Sequence, residues 1–120
     1  MRLIPAVLAA AFSLTLAAGA QAQAPDAAKV QKGAQVFQYW CAACHSANTP
    51  GSRYPGTTAL QAKYKGDRPA VLSERTDLTG DLVKFYVRNG ISIMPQFRKT
   101  EVDDAELDAI GAYLTRNNKP

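Results

Sequence analysis

Histidine is almost missing from this chain of 120 residues, which holds only His45, and cysteine is nearly as scarce, with Cys41 and Cys44 alone. A structural zinc site takes four ligands, usually sulfur or nitrogen. These three residues fall short, and a carboxylate would have to complete the set. No Lys/Arg cluster is interleaved with aromatics, so nothing supports nucleic-acid binding. The formal net charge of +4 is modest and suits an acidic protein partner at most. Nowhere do apolar and polar residues alternate as in a half-buried strand, and no internal repeat is visible.

Long hydrophobic runs are also wanting. The one candidate, from Leu3 to about Ala20, is alanine-heavy and interrupted by Pro5, Ser13 and Thr15. It falls short of the roughly 20 apolar residues that a spanning helix needs. Arg2 supplies a positive start, and Ala20-Gln21-Ala22 has the small-x-small pattern of a signal-peptidase site. Residues 1–22 therefore read as an export signal cut after Ala22, with a retained membrane anchor as the alternative. Ala24 fits the same pattern, but Pro25 would follow the scissile bond. The mature chain, residues 23–120, would form one domain in the periplasm. So small a domain buries a lesser share of its surface, and a disulfide, a metal or a large cofactor would help it.

What is present is helical periodicity. Residues 26–39 read as a helix opened by Pro25 and Asp26, with Val30, Ala34, Phe37 and Cys41 on one face and Gly33 in the same stripe. A turn-rich loop follows over 46–56, then a short helix over 59–65 and another from Pro69 to about Arg75. Residues 79–89 form a helix stopped by Gly90. The stretch ISIMPQFRKT is extended, because Pro95 disfavours helix at Met94. A last helix opens on Asp103 and Glu106 as a capping box, with Val102 and Leu107 as a hydrophobic staple. The fold class is all-α.

The chemistry lies in WCAACHS, residues 40–46. A plain disulfide between cysteines so close would close a tiny loop and stabilise little. A thioredoxin-like dithiol also begins Trp-Cys-x-x-Cys, but it follows a strand of a βαβ unit, and no preceding strands fit here. Cys-x-x-Cys-His is the string for covalent haem attachment. Two thiols add across the two porphyrin vinyl groups, and the adjacent histidine is held beneath the ring to ligate iron. His45 is then one axial ligand. Met94 is the one methionine left after signal cleavage, and Pro95 stiffens the segment that presents it. It is the candidate for the other ligand, against the plainer role of core filler. A thioether ligand favours ferrous iron and suits reversible one-electron transfer.

With CAACH early, Met94-Pro95 late and a final helix ending in Tyr113-Leu114, the chain resembles a class I cytochrome c over essentially its whole mature length. The resemblance implies an all-α cytochrome c fold whose first and last helices cross, Gly33 and Phe37 meeting the stripe around Ile110 and Tyr113. It also implies a proline carbonyl that accepts a hydrogen bond from His45 Nδ1, a role for which Pro55 is better spaced than Pro50. PGTTALQAKYKG, PAVLSERTDL and SIMPQFRKTE are further similar to segments of small cytochromes that serve flavoprotein dehydrogenases, of the p-cresol methylhydroxylase type. Arg53 and Arg75 are candidates for contacting the haem propionates, with a plain surface role as the alternative.

The expectation is a periplasmic carrier of single electrons with one covalent haem c. A dehydrogenase, flavin-dependent in one version, would donate, and a respiratory cytochrome or oxidase would accept. The chain itself would transform no substrate. Two rivals remain: a haem protein with an open sixth site, acting as peroxidase or ligand sensor, and a Cys-x-x-Cys thiol oxidoreductase.

Overall fold

The computed structural model describes residues 26–119. The expected export segment and its cleavage site lie outside the described residues. The element order is α1 (Ala27–Trp40), a single turn α2 (Ala42–His45), α3 (Pro55–Tyr64), a 3₁₀ turn (Leu72–Glu74), α4 (Gly80–Asn89) and α5 (Asp104–Thr115). Besides helices, the described residues contain two isolated bridges, Thr49 with Ser52 and Ile91 with Met94. The all-α reading holds. No helix among them is long and apolar enough to cross a membrane.

Local signals explain most boundaries. Asp26 caps α1 by accepting from Ala28 N–H, and Thr79 caps α4 by accepting from Leu82 N–H. Asp103 and Glu106 form the full capping box of α5. The staple residues Val102 and Leu107 are both buried, so α5 enters along a fixed line into the core.

Helices α1 and α5 cross, as the resemblance implied. A side chain on Gly33 would overlap the carbonyl oxygen of Ala109 and lie 2.9 Å from Tyr113 Cβ. The missing Cβ is therefore what lets the two backbones approach. Beside this contact Phe37 and Tyr113 pack with ring centroids 5.5 Å apart, and Ile110 is 1% exposed. Helix α4 then leans on α5 through Val83 and Val87, with the Lys84–Asp108 and Arg88–Asp104 ion pairs along the seam.

Two segments differ from the sequence expectation. Helix α3 starts at Pro55 rather than at 59, because proline at the first helical position gives up an amide that has no helical partner anyway. The stretch after Pro69 forms only the 3₁₀ turn instead of a helix. Its backbone is held by tertiary bonds: the Ser73 carbonyl accepts from Arg116 Nη2 and Asn117 Nδ2, and the Leu78 carbonyl accepts from Asn118 Nδ2. Partners from beyond α5 outcompete a local ladder there.

Candidate functional site

Cys41 ends α1 and begins α2. Its amide donates to the Phe37 carbonyl at 2.8 Å, while its own carbonyl accepts from the amides of Cys44 at 3.0 Å and His45 at 2.9 Å. One turn thus holds both thiols and the imidazole, since positions three and four apart share a helix face. Cys41 is half-buried against the hydrophobic core and Cys44 is exposed; both are free thiols. Burial, and then the neighbouring Cys44, push the Cys41 thiol up to about 11. An attacking dithiol has the opposite shift, which weighs against the thiol oxidoreductase.

Burial also holds His45 below its ordinary value, so the ring is neutral at physiological pH and keeps the lone pair that a metal ligand must offer. Its Nδ1 is buried without a hydrogen-bond partner. Pro55, expected to accept a bond from that atom, is the first residue of α3 and stands directly before the residue that meets the ring. What meets the ring is the next residue: a Cβ on Gly56 would lie 2.6 Å from His45 Cε1 and 2.8 Å from Nδ1.

Neighbouring bonds fasten this arrangement. Thr57, which is fully buried, donates its hydroxyl to the Ser46 carbonyl at 2.8 Å, and the Ser46 hydroxyl donates to the Ala42 carbonyl at 2.7 Å. Asn48 accepts from the Tyr54 amide and donates to Thr58 Oγ1 and Gln61 Oε1, closing the loop onto α3. Sequence reasoning passed over Gly56, Thr57 and Asn48. Glycine just inside a proline-started helix was the available signal.

Met94 is half-buried against the same core cluster as Cys41. It closes a tight turn in which Ile91 and Met94 exchange both backbone hydrogen bonds, at 3.1 and 2.9 Å. Gly90, at φ 66°, feeds that turn, and a side chain on it would press on the Met94 carbonyl oxygen. Phe97 on the far side stacks edge-on against Trp40, their centroids 5.9 Å apart. The methionine segment is thereby tied to the residue preceding Cys41.

The two arginines part company. Arg53 is exposed in the loop before α3. Arg75 is 3% exposed, so the surface alternative fails for it. Its guanidinium donates to both carboxylate oxygens of Asp77 and lies 4.9 Å from the Tyr64 ring centroid. Its charge is already met inside the protein. The bond from Arg75 holds the Asp77 carboxyl below the usual carboxylate range. A depressed pKa contributes stability above the ordinary carboxylate value and loses it as pH falls through the lowered one. Asp77→Asn should therefore melt lower than the parent at neutral pH, the gap closing as both are acidified below the ordinary carboxylate pKa. A gap that stayed constant with pH in thermal melts would contradict this.

These residues fit a covalently held haem: two free thiols and a neutral histidine on one turn, with a lone thioether on a stiff loop. Among the described residues no group of three or more His, Cys, Asp or Glu side chains is gathered as a metal-ion site. Comparison with known proteins points the same way. Residues 28–114 match the family model described as cytochrome C oxidase, cbb3-type, subunit III. The chain is also similar to cytochrome c6 of Pyropia yezoensis, 32% identical over 98 residues that cover 82% of this chain and 81% of that protein. No solved structure matches it significantly.

Proposed function

The chain belongs to the monohaem class I c-type cytochromes, and on that premise we propose that His45 and Met94 are its axial ligands and a dehydrogenase its electron donor. Membership itself makes it an electron carrier with a haem c attached in the region of Cys41 and Cys44. The ligand assignment is supported above all by the single turn that holds the His45 ring beside the free thiols of Cys41 and Cys44. For Met94 the support is its doubly bonded turn and its contact with the core.

Bound haem supplies one reversible electron through its iron, and a thioether ligand favours the ferrous form. With haem bound, His45 and Met94 would both hold the iron, which would deny oxygen or peroxide an entry. The apolar side chains packed around Cys41 and Met94 would shield the ring from water. Residues 1–22 are proposed to direct export to the periplasm. The donor is proposed to be flavin-dependent, on the similarity of the three segments quoted above, with a respiratory cytochrome or oxidase as acceptor. Arg53 remains a propionate contact in this reading, and Arg75 is the weaker candidate because Asp77 already satisfies it.

Two measurements test the reading. The ferric protein should show the weak red charge-transfer band of a thioether-ligated haem and bind cyanide slowly. Absence of that band with rapid cyanide binding would favour the open-site peroxidase or sensor. Affinity purification from the native host should bring down a flavoprotein. Free monomer alone, reduced equally well by unrelated dehydrogenases, would remove the dedicated donor.

A further inference from the structure

We propose that Arg88 is a positioning residue for Met94: its guanidinium pins the chain that follows the methionine to the start of α5. The proposal rests on Met94 being an axial ligand. A thioether on a loop stays on iron only if the loop has little freedom to carry it away, since each residue left mobile gains conformational entropy on release. Before Met94, the paired backbone bonds between Ile91 and Met94 supply that restraint. After it, residues 95–98 belong to no helix or bridge. Some other contact must hold that side.

Phe97 is where that side is fastened. Its amide donates to the Val87 carbonyl at 2.8 Å, and its carbonyl accepts from Arg88 Nη1 at 3.0 Å. Both backbone groups of one residue are thus bonded to consecutive residues in the last turn of α4. The same Nη1 donates to the Val102 carbonyl at 2.8 Å, and Nη2 donates to Asp104 Oδ1 at 2.9 Å in the first turn of α5. Val102 is 1% exposed, so this end of the clamp is set in the core. One side chain therefore joins the end of α4, the exit of the methionine segment and the entry of α5. A charged donor makes stronger bonds than a neutral one, and the planar guanidinium offers them at fixed angles. A cation in the last turn of α4 also suits the helix dipole. Bracing the α4–α5 seam would need only the ion pair with Asp104. The two bonds from Nη1 go instead to carbonyls at either end of residues 97–102, which is what closing off a loop requires.

The test uses the intact haem-loaded protein and three variants. Arg88→Met keeps much of the bulk but no donor, Asp104→Asn weakens the ion pair and leaves both carbonyl bonds, and Val83→Ala loosens the same α4–α5 seam by packing alone. Cyanide must wait for the thioether to leave, so its binding rate to the ferric protein reads how often Met94 is released. Arg88→Met is expected to bind cyanide on the order of tenfold faster than the parent, the factor that one hydrogen bond from a charged group carries, and to show a weaker red charge-transfer band. Asp104→Asn and Val83→Ala are expected to keep the parent's rate and band, although Val83→Ala melts lower. A lower melting temperature in Arg88→Met with the parent's rate and band, or a rate in Val83→Ala that rises as far, would overturn the proposal and leave Arg88 a brace of the fold. Should Arg88→Met not accumulate, amide hydrogen exchange in the parent decides. Coupling is reciprocal, so displacing Met94 with cyanide should speed exchange at the Phe97 amide, and equal exchange with and without cyanide would count against the clamp. Met94→Ala separates the underlying assumption. If it keeps the parent's red band, the ligand assignment fails and the clamp with it; if it loses the band while Arg88→Met matches the parent, the assignment stands and the clamp alone fails.

Discussion

Met94→Ala should yield a ferric protein without the red charge-transfer band, quick to bind cyanide, and with a markedly lower reduction potential. Axial ligands move haem potentials over a span of ~0.8 V, and exchanging a thioether for water or hydroxide should take on the order of a few tenths of a volt from it. The loss follows from chemistry that the chain cannot replace. No second methionine occurs among the described residues, and the one histidine is already on the opposite side of the assignment. The fold should survive, because the turn that carries Met94 is held by backbone bonds between Ile91 and Met94 and by the Phe97 amide donating to the Val87 carbonyl. None of these involves the thioether. Optical spectroscopy, cyanide-binding rates and a redox titration read the three effects. A variant with the parent's band and potential would show that Met94 is core filler and would reopen the identity of the sixth ligand.

Gly33→Ala should cost about 3 kcal/mol or more, the upper part of the range for an inserted core methyl. That corresponds to a fall of roughly 12–24 °C in melting temperature for a domain of this size. Alanine is the better helix former by ~1 kcal/mol, so propensity alone predicts the opposite sign. The clash decides, because the new methyl would meet the Ala109 carbonyl, and a backbone atom in mid-helix cannot swing aside. The α1–α5 crossing must open, separating Phe37 from Tyr113. Gly80→Ala is the control. It too lies in a helix, and nothing stands within 4 Å of the added methyl. It should be close to neutral. Denaturant unfolding of the two variants side by side checks the contrast, and equal stabilities would mean that the crossing tolerates a wider spacing than its geometry shows.

The site was legible in proportion to how local its parts are. Cys41, Cys44 and His45 are adjacent in sequence and fall on one turn, so their spacing alone carried the chemistry. The Asp103–Glu106 box and its staple were legible for the same reason, because capping is decided within four or five residues. Gly33 was legible as part of the apolar stripe of the first helix, but only the presence of Ala109 opposite it shows how close the two backbones come. Arg75 shows the limit more plainly. An arginine at the end of a short helix reads as surface, but this one is buried between Asp77 and Tyr64. Nothing in its immediate sequence announces a tyrosine ring from the preceding helix.

By itself, the sequence determined the helices with strong caps, the covalent attachment motif and the scarcity of other ligands. Those follow from short-range hydrogen bonding and from counting. Only the tertiary structure decided how close α1 and α5 come, where Arg75 goes and what touches His45. Each of these depends on two segments distant in the chain meeting within a few ångströms, and the outcome turns on single atoms: the Cβ absent from Gly33, and the one absent from Gly56 beside the His45 imidazole.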